Sequence, residues 1–438
     1  MGLDSSYGGN PRSVPREDTP LLGGVGVGGN SKPLSSQPKS FANVFIAIVG
    51  AGVLGLPYTF LRTGWVTTFL MIFGVAGLTN YCMMLLVYTR RKLEPNNDKD
   101  FNTKINSFGD LGFAVCGSVG RFAVDTMIVL SHAGFCIGYI IFISNTLVNL
   151  FNSSAMLHNK YFKWTTPKIW GISAKSIYIW GGVPFQLGLN SIHSLTLLAP
   201  LSIFADIVDL GAMGVVMVED VVVFLKDRPA VEPFGGWSMF FYALGVTVYS
   251  FEGVGMALPL ESEMKDRKKF GKVLCLTMFF IASMYGIFGL LGYFAFGENT
   301  KDIITANMGR GLMSSLVQLG LCVNLFFTFP LMMNPVYEVV GRRFCGGRCS
   351  LWVRWLLVIV VNLVALLVPN FTDFLSLVGS SICCVLGFVL PSLFHYLTFK
   401  DEMGWKGVYR DVGIMILGIA LAVTGTWSSL AEIFSVKV

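Results

Sequence analysis

The chain has 438 residues, 53% of them hydrophobic and only 13% charged, with a net charge of +6 and a mean hydropathy of +0.64. Such an excess of apolar residues excludes an ordinary soluble domain and points to a protein that crosses a membrane many times. The cysteines are scattered, with Cys82, Cys136, Cys275, Cys322, Cys383 and Cys384 inside apolar segments, so no disulfide framework or metal spacing emerges, and Cys345 and Cys349, flanking Gly-Gly-Arg in a loop, read as loop thiols ahead of a zinc or redox pair.

Residues 1–38 are rich in Gly, Ser and Pro and almost free of aromatics. That composition cannot bury a core, so a disordered cytoplasmic tail is expected. It lacks the basic start and apolar run of a cleaved signal peptide. It does hold Glu17 four places ahead of Leu21-Leu22. This resembles the acidic dileucine address that sorts proteins to lysosomes and plant vacuoles, and it implies a sorting adaptor as a partner.

Residues 39–438 read as one transmembrane domain. A hydrocarbon core of about 30 Å needs roughly 20 apolar residues per helix. The sequence offers eleven such stretches, at 40–62, 66–89, 120–151, 176–191, 195–225, 236–264, 272–297, 312–340, 351–368, 373–398 and 411–434. With the N-terminus cytoplasmic, 22 of the 32 Lys and Arg residues fall inside, as the positive-inside rule requires. The C-terminus then lies on the opposite, lumenal side. The fold class expected is all-α, eleven transmembrane helices in a LeuT-like arrangement of five plus five, repeat one over 39–225 and repeat two over 236–398, with the eleventh helix added.

The first and sixth stretches are interrupted in the same way. Gly50-Ala51-Gly52-Val53-Leu54-Gly55-Leu56-Pro57 and Ser250-Phe251-Glu252-Gly253-Val254-Gly255-Met256-Ala257-Leu258-Pro259 each place glycines ahead of Leu-Pro. A paired Gly/Pro break at corresponding points of two apolar halves marks the substrate site of an inverted-repeat transporter. The residue before a proline is pushed out of the helical region, and unwound backbone is tolerated at membrane depth only where it lines a cavity or is buried in protein. Free N–H groups at the restarted helix suit a carboxylate, and free carbonyls before the break suit an ammonium. Neither break holds Arg, Lys or Asp. Neutral amino acids are therefore the expected ligands, with Gly50, Ala51, Gly52, Val53, Ser250, Phe251, Glu252 and Gly253 as the candidate site. Close packing is the plainer use of glycine in a membrane, and Gly286-x-x-Gly289-x-x-Gly292 is expected to serve that purpose.

Ionisable residues inside spans are costly and functional by default. Glu252 in the second break and Asp206 and Asp209 in the fifth stretch are candidates for proton coupling, whereas Asp125 and His132 in the third, two helical turns apart, are read as packing residues. Glu219, Asp220, Glu261 and Glu263 fall near helix ends and are expected to meet water. Sodium is the competing coupling ion. Asn324 and Thr328 in the eighth stretch offer side-chain oxygens for it, whereas Phe45 to Val49 before the first break offers none.

Gly50-x-Gly52-x-x-Gly55 also matches the dinucleotide fingerprint, as does Gly24-x-Gly26-x-x-Gly29 in the tail. Pro57 and the absence of an acid near positions 70–75 argue against a nucleotide, and no cofactor is expected. No paired metal ligands, serine elbow or phosphate loop appear, so an enzyme is not expected, nor is a nucleic-acid partner.

FANVFIAIVGAGVLGLPYTFLRTGW (41–65), NSFGDLG (106–112), residues 185–220, FEGVGMALPLESEM (251–264) and NLFFTFPLMMNPVYE (324–338) resemble the plant vacuolar branch of the amino acid/auxin permease family. The resemblance covers residue 39 to the C-terminus. It implies a LeuT-like fold, export of neutral amino acids from the vacuole, and proton coupling like that of related animal lysosomal transporters. It also implies that Gly50 to Val53 hold the substrate's carboxylate and amine, with Ser250 to Gly253 facing them. A sensor that signals through the cytoplasmic tail is the reading from another class.

Overall fold

The computed structural model describes residues 34–94, 105–155, 168–169, 172–192, 195–309, 311–346 and 349–435. The sorting candidates Glu17, Leu21 and Leu22 lie outside the described residues. The described chain is almost wholly helical, with one short hairpin of β1 (Lys168–Ile169) and β2 (Ile172–Ser173).

Helices α1 (Gln37–Ile48) and α2 (Leu56–Thr63) each carry proline in the first turn, Pro38 and Pro57, where the missing N–H costs nothing. They are joined by a 3₁₀ turn at Ala51–Gly55 and bent by 53°. Helix α1 starts inside the stretch expected to be tail, and Ser35 just before it exchanges backbone hydrogen bonds with Glu263 and Lys265. Next come α3 (Trp65–Leu93) and α4 (Phe108–Ala155). The latter kinks at Gly117, whose φ of 62° only glycine holds without strain. That kink leaves the expected third span starting just beyond it.

Four helices follow: α5 (Ala174–Asn190), α6 (Leu195–Asp227), α7 (Phe240–Ser250) and α8 (Ala257–Glu263). Between α7 and α8 lies the second interruption, with a 3₁₀ turn at Val254–Met256. The chain continues through α9 (Phe270–Phe296), α10 (Leu312–Phe344), α11 (Leu351–Leu367), α12 (Phe371–Val378), α13 (Leu390–Phe399) and α14 (Trp405–Ser435). From α12 to α13 the backbone stays helical through two wide π turns, Gly379–Cys383 and Val385–Val389. Among the described residues, seven helices are long and apolar enough to cross a membrane, and the bent α1–α2 pair makes an eighth.

Lipid supplies no hydrophobic drive between helices, so close backbone approach must do the packing. A methyl on Gly379 would lie 1.9 Å from the carbonyl oxygen of Gly245, which sets the contact of the π segment with α7. The glycine triad of α9 packs as expected. Added Cβ atoms at Gly286, Gly289 and Gly292 would meet Phe69 at 2.9 Å, Phe60 at 2.5 Å and Pro57 at 2.8 Å. Thus α9 is seated directly on the first broken span. Helix α14 is the most peripheral of the apolar helices, with 22% of its apolar stretch buried.

Polar side chains lock both ends. At one end Glu261 of α8 pairs with Arg90 and Arg91 of α3, His395 meets Asp411 at 2.6 Å, and Lys92 meets Glu402 at 2.6 Å. At the other, Arg62 pairs with Glu432, and Tyr242 donates to Asp373 at 2.6 Å. Two of the acids expected to be wet are dry. Glu261 and Asp220 are both 0% exposed, because the helices that carry them are covered by α3 and by α9 and α10 respectively.

Asp302 lies in the connection between α9 and α10, outside the spans, where its carboxylate accepts from the Phe371 amide at 3.3 Å. Burial raises its carboxyl above the usual 3.8, and the bonds from the Phe371 and Ile303 amides only partly oppose this. A raised carboxyl contributes stability that is full below the ordinary value and is lost as pH rises through the raised one. Thermal unfolding from acidic to neutral pH should therefore show Asp302→Asn gaining on the parent as pH rises. Parallel curves would contradict it.

Candidate substrate site at the two helix breaks

The fold brings the two interruptions together. A Cβ on Gly52 would meet Ser250 Oγ at 2.8 Å, Ser250 Cα at 3.0 Å and Tyr249 Cδ1 at 3.1 Å. One on Gly253 would meet Ile48 Cγ1 at 2.8 Å and the Ala47 carbonyl at 3.6 Å. Glycine is needed at Gly52 because the backbone of the other break is already there. At Gly50 an added Cβ would meet nothing within 4 Å, so this residue borders open space.

The breaks differ chemically. In the second, the Glu252 carboxylate accepts from the amides of Gly253 and Val254 and from the Cys383 thiol. The chain thus caps its own restarted helix with an acidic side chain. In the first, no side chain caps the turn, and the amides of Gly50, Ala51 and Gly52 donate to no backbone carbonyl among the described residues. One helix N-terminus is filled by an acidic side chain of its own break, and the other is not.

Cys383 was not foreseen as a site residue. It reaches Glu252 because the π turn at Gly379–Cys383 carries one residue more per turn than an α-helix, a local widening frequent at functional sites. The nearest sequence signal was Gly379 followed by Ser380 and Ser381 in an apolar span.

Above the first break lie two rings. Phe251, 0% exposed, packs its ring 5.3 Å from that of Tyr285 on α9, also 0% exposed. The Tyr285 hydroxyl oxygen faces the Gly50 amide, and its own proton finds no acceptor among the described residues. Asp209 on α6 lies within electrostatic reach of that hydroxyl. The side chain of Asp206, on the same helix, lies outside the described residues. Ser250 spends its hydroxyl on the Val246 carbonyl at 2.9 Å, and Ala51 and Val53 are buried at 6% and 3%. Both breaks therefore present mainly backbone.

The remaining candidates sit elsewhere. Thr328 donates to the Asn324 backbone carbonyl at 3.0 Å, with the Asn324 side-chain oxygen at 3.1 Å, on a helix that packs chiefly on α4 and α6. No hydrogen bond joins either residue to the first break among the described residues. Asp125 lies between Arg121 and Arg342, at 3.9 and 3.8 Å. His132 Nδ1 is 3.0 Å from the Ile128 carbonyl of its own helix.

Residues 34–431 match the family model described as transmembrane amino acid transporter protein. The chain belongs to that family. Among its relatives are the amino acid transporters AVT3B and AVT3C of Arabidopsis thaliana. AVT3B is 66% identical over 423 residues, covering 96% of this chain and 97% of the relative, and AVT3C is 65% identical, covering 97% and 95%. The vacuolar amino acid transporter 3 of Schizosaccharomyces pombe is 26% identical, covering 94% of this chain and 61% of the relative. Two solved transporters share the fold. They are Mhp1, a nucleobase-cation-symport-1 family transporter with bromovinylhydantoin bound, and MhsT in complex with L-phenylalanine. Their TM-scores are 0.53 and 0.52, their identities 15% and 12%, and they cover 95% and 91% of this chain and 95% and 100% of their own. Members of the family are transporters, so this chain is a multi-pass membrane transporter of amino acids rather than an enzyme.

Proposed function

We propose that this family member is a secondary active transporter that moves neutral amino acids across the vacuolar membrane to the cytoplasm, driven by protons. The asymmetry of the breaks carries the reading. The uncapped amides of the first suit the substrate carboxylate, the two breaks add no basic side chain for an acidic substrate, and Glu252 in the second is a carboxylate at the site itself. The vacuolar setting rests on relatives such as the S. pombe transporter, whose name states it.

The proposed topology has eleven spans, with α5, α6 and α11 crossing alongside the eight that pass by length and composition. It comprises two inverted sets of five, one broken span in each, then α14. The N-terminal tail faces the cytoplasm and the C-terminus the lumen. The first, second, sixth and seventh spans would rock against the third, fourth, eighth and ninth, opening the site to each side in turn.

Proteoliposomes with an imposed pH gradient should accumulate labelled alanine or proline. Uptake indifferent to the gradient but dependent on sodium would replace the proton with sodium. Glu252→Gln keeps an acceptor for the Gly253 and Val254 amides but removes the charge, and should depress gradient-driven uptake about tenfold or more while counterflow exchange persists. Equal loss of both would assign Glu252 to bracing the break alone.

A further inference from the structure

A buried phenol without a partner is uncommon, because a polar group taken out of water without a hydrogen bond costs free energy. Tyr285 is such a case on its donor side, 0% exposed with no acceptor for its hydroxyl proton among the described residues. Its position gives the orphan a direction. The hydroxyl stands beside the Gly50 amide, at the head of the uncapped turn, and Gly50 borders open space. The ring cannot swing away. Phe251 packs against it at 5.3 Å, and the next residue, Gly286, lies against Phe69. A fixed O–H donor beside the unpaired amides of Ala51 and Gly52, at the positive end of a helix, is complementary to one chemical group, an anion with two or more acceptor oxygens.

We propose that the Tyr285 hydroxyl donates a hydrogen bond to the carboxylate of the amino acid held at the first break. The proposal rests on the amino-acid reading above and adds a side-chain contact to a site that otherwise binds through backbone. Tyr285 then makes a free carboxylate a requirement for binding. An amino acid amide or ester offers a neutral carbonyl in its place and gains less from the phenol, since hydrogen bonds to charged groups are about twice as strong as neutral ones.

The test is Tyr285→Phe, which keeps the ring against Phe251 and removes one oxygen. In proteoliposomes the KM for alanine should rise about tenfold to a hundredfold, the usual effect of removing a hydrogen bond to a charged group. Competition by alanine and by alaninamide separates recognition from packing. The variant should lose several-fold in its preference for alanine over alaninamide. An unchanged preference would overturn the proposal, whether or not the variant is less stable. It would assign the hydroxyl a packing part between α9 and α6, near Asp209. If the parent protein itself takes up no amino acid, the substrate reading falls first, and that outcome shows in the parent before any variant is made.

Discussion

Glu261→Gln is expected to destabilise the protein by about 2–4 kcal/mol, because it removes the buried counter-charge of a buried arginine while leaving the arginine in place, with only the partly exposed Glu94 still paired to it. The Arg90 side chain is 2% exposed and that of Glu261 0%, with Arg91 bonded to the same carboxylate at 2.9 Å. Arg90 keeps a bond to the Leu258 carbonyl at 3.0 Å and a long, partly exposed ion pair with Glu94 at 4.0 Å, which only partly replace the lost carboxylate. Replacing both partners with apolar residues, Arg90→Met with Glu261→Leu, should recover much of the loss, as buried pairs often cost as much to desolvate as their attraction returns. Thermal denaturation in detergent gives both values. A mild single-variant effect, below about 1 kcal/mol, would mean that water reaches the pair. The cluster has a functional consequence too. It ties α8, the half-helix after the second break, to α3, so movement of α8 requires these ion pairs to part.

The second large effect separates two glycines two residues apart. Gly52→Ala should cut uptake about tenfold or more and cost about 1–3 kcal/mol, as overpacking against fixed atoms does. Its methyl would press on Ser250 Cα at 3.0 Å, which is backbone and cannot turn aside. Gly50→Ala meets no atom within 4 Å and its backbone is extended, at φ −157° and ψ −168°, so the variant should fold like the parent. Its methyl enters the open space, and KM should rise more for large amino acids than for alanine. Uptake competition across a size series checks both, and identical behaviour of the two variants would remove the steric distinction.

Much of this was legible in the sequence because it depends on local chemistry. Apolar runs of about 20 residues can only be helices in lipid, since every backbone group must be satisfied within the segment. The break at Gly50 to Pro57 was readable because proline and glycine set backbone angles without help from neighbours. The packing part of Gly286, Gly289 and Gly292 followed from their spacing on one helix face. Glu252 stood out because a carboxylate in an apolar run is expensive wherever it ends up.

Other features depend on residues far apart in the chain, and composition is silent about them. Glu261 and Asp220 read as wet because both lie near helix ends, yet other helices cover them, and burial is a property of the neighbours. Cys383 is 131 positions from Glu252, and a π turn aims it there. Tyr285 reads as one aromatic among many in an apolar helix. Only assembly against the first break leaves its hydroxyl buried beside Gly50 with no acceptor for its proton. The sequence by itself determined that the chain spans a membrane in helices and where two of them must unwind, because those outcomes follow from hydrophobicity and backbone sterics along the chain. Only the tertiary structure decided that Glu252 closes the second break while the first stays open, because capping depends on which donors and acceptors are brought within reach.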